Sequence, residues 1–281
     1  MPGVQPAVDQ AAIRGCEAVW SISVIDVESG RSLAELGPDI CLSTASIGKL
    51  IALVELAERV NRGEADLRTM VRRSDADRVA DSGLWQHLVV DELCLADVAT
   101  LIGAVSDNLA TNVLLGYLGL DSVHRRSELL GLETVRLHDR VRDVRTEDDP
   151  PRLSSGTARE LAQLLRRLAT DDGSGLSEGV GALVLGWLVP STDLSMVAGA
   201  FGLDPLAHAE RDRGVRLWNK TGTNVGVRAD VGIADGPERR VAYAVLVNWS
   251  DTASVGDRSR DAVLAGMRQI GEAIREHVLG V

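Results

Sequence analysis

Of the 30 basic residues in this chain of 281, 28 are arginines and only two are lysines, Lys49 and Lys220. A position that keeps lysine against such a bias needs a compact ammonium, or an amine that can lose its proton near neutral pH, and arginine supplies neither. Both lysines fall in short motifs, Ser46-Ile47-Gly48-Lys49 and Lys220-Thr221-Gly222. A serine hydroxyl is a weak nucleophile until a base takes its proton, and Lys49, three residues on, shares one face of a helical turn with Ser46. Lys49 can be that base if it is neutral. A second cation nearby and the positive end of a helix both lower a lysine pKa, and Lys220 is the candidate second cation. Taken alone, Ser46 and Lys49 read better as a helix cap followed by a solvated lysine.

A third motif, Ser106-Asp107-Asn108, stands between these two and by itself reads as a helix N-cap, since all three residue types favour that position. In this order the three motifs resemble the active-site-serine β-lactamases and penicillin-binding proteins, class A β-lactamases above all. The likeness runs on through Leu109-Ala110-Thr111-Asn112-Val113-Leu114-Leu115, and through Thr223, Gly226, Arg228 and Asp230-Val231-Gly232-Ile233. It implies that Ser46 is acylated, that Lys49 is its base, and that Ser106 relays protons between the lysines toward the leaving nitrogen. It implies further that Asn108 donates to the substrate's amide side chain and that Lys220, Thr221 and Thr223 bind the substrate carboxylate. Gly222 would let substrate lie against the strand, and Arg228 would be an added carboxylate anchor. The backbone N–H groups of Ser46 and Thr223 would form the oxyanion hole.

One segment departs from the pattern. Class A β-lactamases carry Arg-x-Glu-x-x-Leu-Asn in a long loop, and its Glu activates the water that hydrolyses the acyl-enzyme. The nearest match here is Arg140-Val141-Arg142-Asp143-Val144-Arg145, with Arg142 at the Glu position. Asp139 and Asp143 are the acids left to replace it, and an acid in so charged a loop is more often solvated. Slow deacylation is expected.

The elements that must position these residues can be read from periodicity. Trp20 to Val27 alternates, and Glu28-Ser29-Gly30 turns it into Ser32 to Leu36, a β-hairpin. A helix follows from Ile47 to the stop at Asn61-Arg62-Gly63, with Ser46 at its N-terminal edge. Helical spacing over 95–105 breaks at Ser106-Asp107-Asn108 and resumes to Gly119. Residues 131–155 form a long irregular loop, and 157–169 and 183–189 are helical again. Val215 to Thr221, Val227 to Ala234 and Val241 to Asn248 read as strands, and a last helix runs over 259–278. The expected fold is α/β: an antiparallel sheet flanked by N- and C-terminal helices, with an inserted all-α lobe. One catalytic domain spans 1–281, its α/β lobe from 1–45 and 210–281 and its all-α lobe from 46–209.

Composition excludes other classes. A net charge of −11 and only eight aromatic residues argue against nucleic acid as a partner. No apolar run reaches the length of a membrane span, so no membrane partner is expected. The first twenty residues have no basic start, apolar run and cleavage site in sequence, which as written implies a cytoplasmic protein, or an exported one only with a leader. Cys16, Cys41 and Cys94 form no Cys-x-x-Cys pair and are expected as three buried, reduced thiols. The five histidines lack metal-ligand spacing, and Asp172-Gly173-Ser174-Gly175 follows a helix rather than a strand, so neither a metal nor a phosphate cradle is expected and no cofactor is called for. The expectation is a β-lactamase-like serine hydrolase acting through acyl-Ser46 on a small molecule with a carboxylate: a β-lactam or a related amide or ester. A D-alanyl-D-alanine peptidase, an esterase, and a module that is acylated and stays so are the alternatives. The natural acyl donor and the oligomeric state stay open.

Overall fold

A computed structural model of the chain describes residues 3–14, 18–170, 175–250 and 256–281. Helix α1 (Val4–Arg14) leads into the hairpin β1 (Ala18–Asp26) and β2 (Ser32–Leu36), then the short strand β3 (Leu42–Ser43). A 3-10 turn over Ala45–Gly48 opens helix α2 (Lys49–Asn61), and two short strands, β4 (Met70–Arg72) and β5 (Glu92–Cys94), follow it. Helices α3 (Leu95–Val105), α4 (Asn108–Leu118) and α5 (Leu120–Leu129) come next, then β6 (Arg136–Leu137), β7 (Ser154–Gly156), α6 (Ala158–Thr170) and α7 (Val180–Leu188). The chain closes with β8 (Arg216–Asn224), β9 (Val227–Asp235), β10 (Arg240–Trp249) and α8 (Gly256–Leu279).

The long strands form one five-stranded antiparallel sheet in the order β2-β1-β10-β9-β8. Strand β10 lies at its centre and is buried on both faces, as its almost unbroken apolar run requires. Val241, Tyr243, Val245 and Val247 pack with α1 and α8, while Ala242, Ala244 and Leu246 face α6 and the helices beyond it. Each fully buried Val or Leu is worth about 1.5–3 kcal/mol relative to exposure, so the two cores together hold the sheet between layers. Helix α2 is buried from Lys49 through Glu58, which makes it the central helix of the larger core. Its two buried acids are matched: Glu55 accepts from Arg126 Nε at 2.9 Å and from Arg59 Nε at 2.8 Å, and Glu58 accepts from the Ser177 amide and hydroxyl. This fixes the helix that carries Lys49.

Several expectations are corrected. The segment 46–209 is not all helical, because β4 pairs β5 and β7 lies between β3 and β6. Nor does it all pack as a separate lobe: Leu194, Met196, Val197 and Phe201 belong to the core under α8, and α6 lies directly on β1, β9 and β10. The loop 131–155 is correspondingly tied down at both ends by β6 and β7. Of the cysteines, Cys41 is exposed at the start of β3, where only Leu42 turns inward, and Cys94 is half-buried with Sγ donating to Asp97. Cys16 and residues 172–174 lie outside the described residues.

Candidate active site

Ser46 is the second residue of the 3-10 turn and is half-buried. The residue before it, Ala45, has φ +48°, a left-handed conformation that costs a non-glycine residue roughly 1–2 kcal/mol. Ser154 holds it there: its hydroxyl donates to the Ala45 carbonyl and pairs with Thr44 Oγ1 at 2.7 Å. The turn lies against β8, the edge strand of the sheet. A Cβ at Gly222 would meet the Thr44 carbonyl at 2.2 Å and Ile47 Cγ1 at 3.2 Å. Glycine is therefore required there by the protein's own packing.

Ser106 sits between the two lysines. It caps the C-terminus of α3 with φ +55°, a second left-handed non-glycine residue. Its Oγ accepts from Lys220 Nζ at 2.8 Å and from Lys49 Nζ at 3.3 Å. Lys49 also donates to the Ser106 carbonyl at 2.6 Å and to Asn108 Oδ1 at 2.7 Å. Among the described residues no hydrogen bond joins Lys49 to Ser46, so the amine is held against the Ser106-Asn108 corner. The N-cap reading of the middle motif holds for Asp107: its carboxylate accepts from Ala110 N at 2.8 Å, Leu84 N at 2.7 Å and Trp85 N at 2.8 Å. Gly83 makes this possible, because a Cβ there would lie 2.4 Å from the Asp107 carboxyl carbon.

Both lysines are fully buried. Burial pushes the Lys49 pKa well below its usual 10.5, the Lys220 charge pushes the same way, and Asp107 opposes them. Burial likewise lowers Lys220 to about 8, against the pull of Asp193 and Asp230. Asp230 is itself buried, which raises its carboxyl to about 7; it accepts from Ala198 N, Asn219 Nδ2 and Tyr243 Oη.

The expected substrate-binding groups are largely engaged within the protein. Asn108 Nδ2 donates to the Ala80 and Asp81 carbonyls, the Lys220 amine also donates to Thr221 O at 2.9 Å, and Thr221 Oγ1 donates to Asp193 Oδ2 at 2.7 Å. Thr223 is exposed and pairs across the ladder with Arg228, whose guanidinium donates to Asn224 O and Val227 O and lies 5.8 Å from the Trp249 ring centre.

The long loop reaches the site at Val141. Asn112, one turn beyond Asn108 on α4, accepts from Val141 N at 2.8 Å and donates to Val141 O at 3.0 Å. Arg142, aligned by sequence with the hydrolytic Glu, instead turns to Asp139 at 2.6 Å and Asp149 at 3.1 Å. Burial raises the Asp139 carboxyl, but hydrogen bonds from Arg142 and Arg145 outweigh it and hold the group below the usual carboxylate range. Asp143 accepts from Ala80 N at 2.8 Å. Neither acid is hydrogen-bonded to Ser46, Lys49 or Ser106 among the described residues. Asn112 was findable from sequence by its i, i+4 spacing to Asn108, and Asp230 lay in the run that resembles the family, whereas Ser154 and Asp193 carried no motif that marked them.

One family and three solved structures bear on this geometry. The β-lactamase enzyme family matches over residues 7–278. A β-lactamase from Sphaerobacter thermophilus superposes with a TM-score of 0.81 at 23% identity, covering 99% of this chain and 97% of that one. A β-lactamase from Burkholderia vietnamiensis gives 0.78 at 20%, covering 98% and 96%. A variant of PBP-A, solved as an acyl-enzyme complex with penicillin-G, gives 0.79 at 21%, covering 98% and 95%.

Proposed function

The chain belongs to the β-lactamase enzyme family, within the serine β-lactamase and penicillin-binding-protein superfamily, and from that premise we propose that it forms an acyl-Ser46 intermediate with a β-lactam or a related amide or ester. Ser46 Oγ attacks the carbonyl carbon, its proton passing to neutral Lys49, while the backbone N–H groups of Ser46 and Thr223 receive the developing oxyanion. The C–N or C–O bond then breaks, and the proton travels from Lys49 through Ser106 to the leaving atom. The observation that carries this reading is Ser106 Oγ within hydrogen-bond reach of both buried lysine amines, 3.3 Å from one and 2.8 Å from the other. Lys220, Thr221, Thr223, Arg228 and Asn108 are the groups that orient the donor once it displaces their internal partners.

Hydrolysis of the adduct is slow in this reading. Asp139 is paired with two arginines, Asp143 caps a backbone amide, and the loop residue fastened to Asn112 is the apolar Val141. A positioned general base contributes roughly 10²- to 10⁴-fold, and neither Asp139 nor Asp143 is hydrogen-bonded to Ser46, Lys49 or Ser106 among the described residues to supply it. The same observation favours a second reading, a module that is acylated and remains so.

Intact-mass analysis over time, with a panel of penicillins and activated esters, tests both. A single adduct on Ser46 that accumulates and outlasts the free donor supports the proposal, and its absence in Ser46→Ala assigns it. Rapid turnover with no adduct contradicts slow deacylation; no reaction with any donor contradicts the acyl-Ser46 mechanism.

A further inference from the structure

Strand β8 alternates its side chains, so Lys220 and Gly222 face α2 and the 3-10 turn while Thr221 and Thr223 face the other side. Behind Thr221 stands Asp193, on the segment after α7 that is tied to α3 by the Thr192 amide bonded to the Ala104 carbonyl at 2.9 Å. Both carboxylate oxygens of Asp193 are occupied in a fixed order. Oδ1 accepts from Ser195 N at 3.1 Å and Ser195 Oγ at 2.6 Å, and Oδ2 accepts from Thr221 Oγ1 at 2.7 Å. Its backbone carbonyl accepts from Asn219 Nδ2 at 3.1 Å, which locks the residue to β8 from a second side.

A threonine hydroxyl has one proton. With that proton on Asp193, Thr221 can offer an incoming carboxylate only lone pairs, and a second carboxylate lies directly behind them. The neighbouring donors are partly engaged too: two of the three Lys220 N–H groups go to Ser106 Oγ and Thr221 O, and Arg228 Nη1 donates to Asn224 O and Val227 O. Buried Asp230, bonded to the Asn219 amide, adds acidity behind the same strand.

We propose that Asp193 is a specificity-determining residue of the acylation site: by taking the Thr221 proton it turns the β8 edge away from acyl donors with a free carboxylate and toward neutral ones. This rests on the acyl-Ser46 reading and names the donor class within it.

A matched pair of donors isolates the effect, benzylpenicillin and its methyl ester, which share one ring system and differ in the carboxylate. Acylation rate constants for both are measured by intact mass on the same preparation, so that their ratio is independent of the fraction folded. The parent chain should favour the free acid by less than about tenfold. Asp193→Asn keeps the carbonyl that Ser195 requires and aims an amide N–H at Thr221, which releases the hydroxyl proton and removes the charge. The acid-to-ester ratio should then rise by about tenfold or more, the scale of one hydrogen bond to a charged group. Asp193→Glu retains charge and acceptor and should stay within about threefold of the parent ratio, a difference too small for a charged hydrogen bond gained or lost. A ratio unchanged in Asp193→Asn, or a parent that favours the acid by about a hundredfold, overturns the proposal. Failure of both donors to label the parent at Ser46 overturns the acyl-enzyme reading itself, and the proposal with it.

Discussion

Replacing Lys49 by arginine preserves the charge and removes the only state in which this side chain can be a base. The two lysine amines are joined through Ser106 Oγ, so their separation cannot exceed the two contacts, about 6 Å. At that distance and an effective dielectric of about 20, two ammonium groups repel by about 3 kcal/mol. This shifts the equilibrium from two charged amines toward one neutral and one charged by roughly a hundredfold. Burial adds to that preference and falls hardest on Lys49, which has no exposed surface. Repulsion and burial therefore both move Lys49 toward the neutral amine that a base must be. A guanidinium cannot give up its proton, so Lys49→Arg forces the loss of charge onto Lys220 or leaves two cations in one buried cavity. Acylation by benzylpenicillin should fall by about 10²- to 10⁴-fold, the usual contribution of a positioned base. The assay is time-resolved intact mass from pH 5.5 to 9.5, with circular dichroism to verify folding. Acylation within about tenfold of the parent, with the same pH dependence, would refute the assignment of Lys49 as base.

Three further outcomes follow from the same contacts. The pH profile of acylation should be bell-shaped: it rises as Lys49 loses its proton and falls above about 8 as Lys220 loses the charge it needs, and a profile still rising at pH 9.5 would contradict that role for Lys220. Val141→Glu puts a carboxylate on the loop residue that Asn112 fastens beside Asn108; the acyl-Ser46 adduct should decay at least about tenfold faster, and an unchanged lifetime by mass would show that Val141 does not face the adduct. Arg126→Ala removes one of the two arginines on Glu55 and a contact of Glu58, leaving Arg59 and Ser177 in place, which should cost about 1.5–3 kcal/mol in urea unfolding, whereas a loss below about 1 kcal/mol would mean that Arg126 does not anchor the helix.

The strands β8, β9 and β10 and the first hairpin are legible in the sequence because alternation and turn residues are local signals. Helix α5 is not, since Gly119 reads as a stop and instead ends one helix and caps the start of the next with φ +80°. Residues 194–203 carry no element signal that assigns them to the core under α8, because their packing depends on a helix more than fifty residues away in sequence. At the site, hydrogen bonds join Lys49, Ser106, Asn108 and Lys220, and Ser46 stands on the turn that opens the helix of Lys49. What the motifs hide is how each donor is already used. Thr221 and Asp193 are separated by 28 residues in the chain and meet only through tertiary packing, and the pairing of Asp139 with Arg142 depends on the path of an irregular loop. Gly222 carries a requirement that its motif does not show, since an atom that forbids a Cβ there is the Thr44 carbonyl, far away in sequence.

The left-handed backbone at Ala45 and Ser106 and the two buried amines have a consequence for anyone who evolves this chain in the laboratory. Glycine at 45 relieves the conformational cost, and a methionine at 49 removes a desolvated amine; each substitution should raise the melting temperature. Both alter the immediate surroundings of the nucleophile. A library selected for heat resistance alone would therefore enrich folded, soluble and inert proteins, and thermal selection on this scaffold needs a simultaneous screen for Ser46 labelling to keep the chemistry.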